Sequence, residues 1–259
     1  MGQRRTRPRG RGRPGLDGPP VQRRVGKAAR PVRPRKVVVD APAFPRLKVC
    51  CIASVEEAQI AVRLGASAIG LVGPMPSGPG VISTSRAREI ARSLPPPVMS
   101  VLLTSETSAE EIAGQADAAG VQAVQIVDHV EAGVFGRLRE LLPGRSLWPV
   151  VHVTGEESVL EAEAVAAYAD AVLLDSGNPA AEVKELGGTG RVHDWSVSRV
   201  IRERLEIPVL LAGGLRAANV ADALEAVGPF ALDVCSGVRT DGDLDAAKLE
   251  QVVRAAGVR

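Results

Sequence analysis

Residues 207–238 read IPVLLAGGLRAANVADALEAVGPFALDVCSGV. An apolar run, IPVLLA (207–212), ends in Gly213-Gly214, a helix-like segment covers Ala217–Ala226, and a second apolar run, FALDVC (230–235), leads into Ser236-Gly237. Both runs are apolar at consecutive positions rather than alternate ones, so a strand built from either is buried on both faces. Strands of that kind belong in a parallel sheet covered by helices, with the amphipathic segment between them as the crossover.

The same unit recurs upstream. Six further apolar runs are LKVCCI (47–52), SAIGLV (67–72), PVMSVLL (97–103), QAVQIV (122–127), LWPVVHV (147–153) and DAVLLD (170–175). Helix-like segments between or after the runs include Val55–Leu64, Ser108–Ala119, Glu156–Ala167, Ser196–Arg204 and Ala246–Ala256, several with Ser, Asp or Thr placed to cap the first turn. Eight β/α units favour a compact (β/α)8 TIM barrel over an open doubly wound sheet, whose GxGxxG signature is missing after the first run. The two longest spacings between runs both carry their extra residues after the strand, at 73–83 and 176–195. In a barrel those are the loops of the C-terminal face, where active sites are built.

The chain has 259 residues, 45% hydrophobic, with 32 Lys+Arg against 30 Asp+Glu and a net charge of +2. That near-neutrality conceals a division. Residues 1–46 hold 14 Lys/Arg and 2 acids, leaving 18 Lys/Arg and 28 acids for residues 47–259. The first segment is rich in Arg, Pro and Gly and poor in large apolar residues, so it is expected to be a disordered basic extension preceding a barrel domain at 47–259. It fits neither a secretory signal nor a mitochondrial presequence. A solvated tail, or sequence upstream of the true start, accounts for it more simply than an electrostatic arm for nucleic acid or an anionic membrane. No span of 18 apolar residues predicts a transmembrane helix, and with so few aromatics a base-stacking surface is not expected. Three cysteines, two adjacent and none in CxxC spacing, argue against a disulfide framework or zinc site and fit a reducing cytoplasm.

Asp175 ends the sixth run, where a carboxyl group would project over the barrel mouth; a general acid and a turn or cap residue are equal readings of that position. Cys50 and Cys51 lie near the end of the first run, with alternation sending one inward and the other toward the helices. A strand cysteine is ordinarily a small buried apolar residue, and a catalytic role needs a nearby cation, for which Lys48 on the same face is the candidate. The glycines at 213–214 and the Ser236-Gly237 pair fall in the loops after strands seven and eight, the common phosphate site of such barrels, and imply a phosphorylated small-molecule substrate. Gly187-Gly188-Thr189-Gly190 is a further anion-capable loop without P-loop spacing. His129, His152 and His193 show no metal-ligand spacing, so no metal is expected; His152 reads as a core or barrel-interior residue, and Trp195 as packing at the start of the sixth helix.

Taken in order, these pieces resemble the phosphoribosylanthranilate isomerase family: Lys48-Val49-Cys50, Leu173-Leu174-Asp175-Ser176, Gly187-Gly188-Thr189-Gly190 with Asp194-Trp195, Gly213-Gly214-Leu215 with Asn219-Val220, and Asp233-Val234-Cys235-Ser236-Gly237-Val238. The resemblance implies a cofactor-free Amadori rearrangement of an aminoaldose phosphate in tryptophan biosynthesis, by a monomer or homodimer. It implies that Asp175 is the general acid on the furanose ring oxygen and Cys50 the general base at C2′ of the sugar. It also implies that Gly213, Gly214, Ser236 and Gly237 hold the phosphate, with Gly188, Thr189 and Gly190 near the ligand.

The sequence departs from that family pattern where the aglycone would be read. Gly78-Pro79-Gly80 replaces the usual Ser-Pro-Arg, whose Arg pairs with the anthranilate carboxylate. Cys51 replaces the usual Gly, Gln125-Ile126-Val127-Asp128 replaces Gln-Leu-His-Gly, and Arg239 replaces Glu. Arg216 and Arg239 are the candidates for a substitute cation. Two other functions are consistent with these residues: an isomerase for a different ribose-phosphate N-glycoside, and a non-catalytic barrel that binds a phosphorylated metabolite.

Overall fold

The computed structural model describes Gly2 and residues 46–75, 79–177 and 192–258. The expectations for the basic extension, for Gly78 and for Gly188, Thr189 and Gly190 lie outside those residues. The barrel strands are β1 (Arg46–Val49), β2 (Ala68–Val72), β3 (Met99–Thr104), β4 (Ala123–Ile126), β5 (Ser146–His152), β6 (Val172–Asp175), β7 (Val209–Leu211) and β8 (Ala231–Val234). They form a closed parallel barrel in chain order, sealed where β1 pairs β8 with Lys48 opposite Asp233.

The helices are α1 (Val55–Arg63), α2 (Thr84–Ser93), α3 (Ala109–Ala119), α4 (Ala132–Leu141), α5 (Glu157–Ala166), α6 (Trp195–Arg204), α7 (Val220–Val227) and α8 (Ala246–Ala256). Side chains of Ser54, Ser83, Ser108, Asp194 and Asp245 accept hydrogen bonds from amides in the first turns of α1, α2, α3, α6 and α8. Each such cap contributes about 0.5–2 kcal/mol. Among the described residues, no helix is long and apolar enough to cross a membrane.

Two apolar layers hold the fold together. Between sheet and helices lie Leu47, Val49, Ile69, Leu71, Leu174 and their neighbours. Inside the barrel lie Ala68, Val101, Ala123, Trp148, Leu173 and Leu210, joined by Cys50 and Cys51. Successive strand residues serve opposite layers, which is why the strand sequences show almost no polar alternation.

Three boundaries differ from the sequence expectation. β1 ends at Val49 and β8 at Val234, so Cys50, Cys51 and Cys235 all stand just past strand ends. Cys51 has a left-handed backbone (φ 62), which breaks strand alternation and brings both adjacent cysteines into the interior cluster, contrary to the expected inward/outward division. α7 begins three residues after Ala217, because Asn219 folds the preceding turn: its Oδ1 accepts from the Arg216 amide at 2.8 Å and its Nδ2 donates to the Gly214 carbonyl at 3.1 Å.

The interior also holds one ion pair, Lys48 Nζ to Asp233 Oδ2 at 2.7 Å, with Lys48 fully enclosed. Removing one partner leaves a charge stranded in the barrel. Asp233→Leu is expected to lose about 3–5 kcal/mol in urea unfolding, and Lys48→Met combined with Asp233→Leu to recover most of that loss. Equal destabilisation by the single and double variants would contradict this assignment.

Candidate active site

The C-terminal ends of β1, β6, β7 and β8 carry the residues picked out from the sequence. Cys50 follows β1, and its amide donates to the Val234 carbonyl at 2.8 Å, tying it to the closing strand. A Cβ placed at Gly70 on β2 would lie 2.9 Å from Cys50 Sγ and 3.0 Å from Lys48 Nζ, so thiol and ammonium converge on the same glycine-sized recess. Lys48 is therefore the cation that Cys50 needed, on the face expected.

Charge and hydrogen bonding at Cys50 favour the thiolate. The thiols of Cys235 and Cys51 donate toward it; burial opposes ionisation, and Lys48 adds its attraction, leaving the Cys50 pKa well below an ordinary thiol. Burial disfavours the Lys48 ammonium, yet Asp233 and then Cys50 outweigh that penalty and hold it protonated. Asp233 is taken as the carboxylate, because a neutral acid 2.7 Å from Nζ would leave the enclosed ammonium without a counter-charge. The single S–H of Cys51, shared between Cys235 and Cys50, pushes its thiol pKa up, and burial adds to the rise.

Asp175 ends β6 and is nearly enclosed. Burial raises its pKa above the ordinary carboxyl value, against the Ser176 amide, which donates to Oδ1 at 2.7 Å, and against His152. His152 lies opposite Asp175 on β5 and points into the barrel, with Nε2 at 3.0 Å from the Val127 carbonyl oxygen. The mouth thus holds a thiol biased toward its anion and a carboxyl biased toward its acid.

The two anion loops touch each other. Gly213 and Gly214 are both left-handed (φ 85 and 60), and among the described residues nothing accepts from their amides. A Cβ on Gly237 would lie 2.0 Å from the Leu215 carbonyl oxygen, so only glycine permits this approach of the β7 and β8 loops. Arg216 is exposed and its Cβ packs at the same glycine. His193 seats its Nε2 on Ser198 Oγ at 2.7 Å and places Nδ1 beside Gly213; burial lowers its pKa to about 4, so the ring is neutral.

The two candidate cations have different surroundings. Arg239 donates to Glu57, to the Gly242 carbonyl and to the carbonyls of Cys50 and Cys51, so its guanidinium is committed to holding the cysteine loop. Arg216 belongs to the anion-loop side. A separate cavity of about 260 Å³, lined in part by Arg46, Met99, Trp148 and Phe230, opens at the strand starts, away from the acid and base.

The described structure brings Cys50, Asp175, Gly213, Gly214, Ser236 and Gly237 to one barrel mouth. A family model for N-(5'phosphoribosyl)anthranilate (PRA) isomerase matches residues 47–255. The chain belongs to that family. It is 36% identical to the N-(5'-phosphoribosyl)anthranilate isomerase 2 of Methanosarcina mazei over 213 residues, covering 82% of this chain and 93% of that protein. The solved phosphoribosyl anthranilate isomerase of Thermotoga maritima is 31% identical with a TM-score of 0.70, over 83% of this chain and 99% of the other. Another solved phosphoribosyl anthranilate isomerase, in complex with reduced 1-(o-carboxyphenylamino)-1-deoxyribulose 5-phosphate, is 29% identical with a TM-score of 0.68 and the same coverage.

Two departures from the family pattern prove to be one structural event. Gly80 sits on the loop that returns from β2, and a Cβ there would lie 2.6 Å from Cys51 Cβ. The side chain at 51 and any side chain at 80 compete for one volume. Gly80→Ala is therefore expected to lower the melting temperature in the wild-type background and to cost less in a Cys51→Gly background, where the contact with the Cys51 Cβ is gone while the left-handed φ penalty of about 1–2 kcal/mol and the approach to the residue 51 backbone remain. Equal costs in the two backgrounds would contradict the competition.

Proposed function

We propose that this protein isomerises N-(5'-phosphoribosyl)anthranilate to its aminoketose phosphate by an Amadori rearrangement, with Asp175 as general acid and Cys50 as general base. The observation that carries this reading is the opposed bias of the two groups at one mouth, the carboxyl held toward its protonated form and the thiol toward its anion. Protonated Asp175 donates to the furanose ring oxygen as the C1′–O bond breaks, and the aminoaldose opens to a protonated Schiff base. The Cys50 thiolate then takes the proton from C2′, giving an enolamine that tautomerises to the ketone. Both steps are proton transfers, so the chain's own side chains suffice in this scheme.

Amides of Gly213, Gly214, Ser236 and Gly237 would hold the substrate phosphate. An acidic barrel domain has to bind an anion through local amides, and the touching β7 and β8 loops supply them. Arg216 adds a cation on that side. Gly188, Thr189 and Gly190 join the substrate-contacting set on the resemblance alone. In the same reading the isomerase domain spans 47–259, which the family match beginning at residue 47 supports, and residues 1–46 are a separate extension. Three free thiols fit a reducing cytoplasm, and the enzyme acts as a monomer or homodimer without membrane attachment.

One observation favours a second reading. Cys51 fills the space against Gly80 where the family's aglycone-binding Arg would start, so the substrate could be a ribose-phosphate N-glycoside with a different aglycone. Competing glycosides decide between the readings: a strong preference for the anthranilate compound upholds the first, and indifference to the aglycone carboxylate upholds the second.

Ketose-phosphate formation by purified protein tests the assignment. Cys50→Ala and Asp175→Asn are each expected to lower kcat by about 10²–10⁴. The rate should rise with pH as Cys50 ionises, at a pH below the ordinary thiol value, and fall as Asp175 loses the proton it must donate. Wild-type rates in either variant would overturn the assignment.

A further inference from the structure

All three cysteines of the chain meet at the barrel mouth, and the mechanism uses only Cys50. Cys51 and Cys235 are 184 positions apart in sequence, yet their Sγ atoms lie 2.7 Å apart. Several features fix that approach. Cys235 follows β8, which pairs with β1 up to Val49 opposite Val234. The left-handed backbone of Cys51 turns its side chain toward β8, Gly80 closes against its Cβ, and the Arg239 guanidinium binds the Cys50 and Cys51 carbonyls. Cys235 is only half-buried and so can be reached from solvent.

We propose that Cys51 and Cys235 form a reversible disulfide, a redox modification site that silences the neighbouring base. A disulfide needs its sulfurs about 2.05 Å apart, so closure asks for a shift of about 0.7 Å between two thiols that are already held. A bridge between Cys50 and Cys51 is disfavoured in comparison, because adjacent residues hold their Cα atoms below the usual separation of about 4.4–6.8 Å. The co-reactant is a low-molecular-weight disulfide, RSSR. Cys235, the half-buried thiol, passes its proton to solvent by way of the Cys50 thiolate toward which it donates, and displaces RS⁻ to form a mixed disulfide; Cys51 then loses its proton and displaces the second RS⁻ from Cys235. Two protein thiols are oxidised, one RSSR is reduced to two RSH, and the two protons released from the protein end on those thiols. The bridge removes both S–H groups that donate toward Cys50, so the base titrates at higher pH and less of it is ionised near neutrality.

Oxidised glutathione serves as the probe on the full chain, with thiol counting under denaturing conditions, peptide mapping and the isomerase assay run together. Two of the three thiols should disappear, the map should link Cys51 to Cys235, and kcat/KM near neutrality should fall by roughly tenfold or more, as for an upward shift of one pKa unit. Dithiothreitol should reverse all three changes. Under the same treatment Cys235→Ser, which lacks the first nucleophile, should keep the rate it started with, and Cys51→Gly, whose backbone suits the left-handed φ, should stop at a glutathione adduct on Cys235 with no internal link. Three surviving thiols, a Cys50–Cys235 link, or inactivation of both variants as complete as the wild type would overturn the proposal. The activity readout rests on the isomerase reading, whereas the mapped bridge does not. A Cys51–Cys235 link in a protein that turns over no aminoaldose would uphold the modification site and defeat the function proposed above.

Discussion

An ammonium group enclosed in an eight-stranded barrel persists only with a counter-charge in contact, and here that contact is Lys48 Nζ to Asp233 Oδ2 at 2.7 Å. The pair joins the first strand to the last at the seam where the barrel closes. Replacing it with apolar side chains of similar volume could make the barrel more stable, so stability alone is a poor explanation of its presence. Its chemical consequence lies one layer higher, where Cys50 Sγ shares the Gly70 recess with the same ammonium. A thiol enclosed among apolar residues would otherwise stay protonated and inert as a base.

The rest of the mouth is arranged around that thiolate. Arg239 and the left-handed Cys51 fix the cysteine loop, Cys235 approaches from β8, and Asp175 stands on β6 in an enclosed position that favours its acid form. The loops after β7 and β8 meet through Gly237, where a Cβ would strike the Leu215 carbonyl oxygen. In the proposed scheme the phosphate is held at one side while acid and base work on the two atoms that flank C1′ of the sugar.

Much of this could be read from residue order. Consecutive apolar residues in 207–212 and 230–235 imply strands buried on both faces, and the eight barrel strands correspond to the eight runs. α2 and α4 were the helices without a clear sequence signal: α4 carries Gly133 and Gly136, which are poor helix formers, and α2 buries only Ala87 and Ile90. Lys48 was recognisable by its spacing from Cys50, but Asp233 was visible only as part of a motif, because pairing across the β1–β8 seam depends on register between segments 185 residues apart. The Cys51–Cys235 contact was hidden for a related reason. Strand alternation predicts that Cys51 faces the helices, and the positive φ that reverses it leaves no mark in a cysteine codon. Arg239 looked like a free cation until its backbone acceptors were seen.

The central claim is that the mouth holds Cys50 as a thiolate, through the neighbouring thiols of Cys235 and Cys51 and the attraction of the Lys48 ammonium. The pH dependence of iodoacetamide alkylation, followed on the Cys50 peptide by mass spectrometry in the wild type and in Lys48→Met, tests it most directly. The wild-type midpoint should lie well below that of an ordinary thiol and move upward when the ammonium is removed. An ordinary midpoint, unchanged in Lys48→Met, would contradict the account.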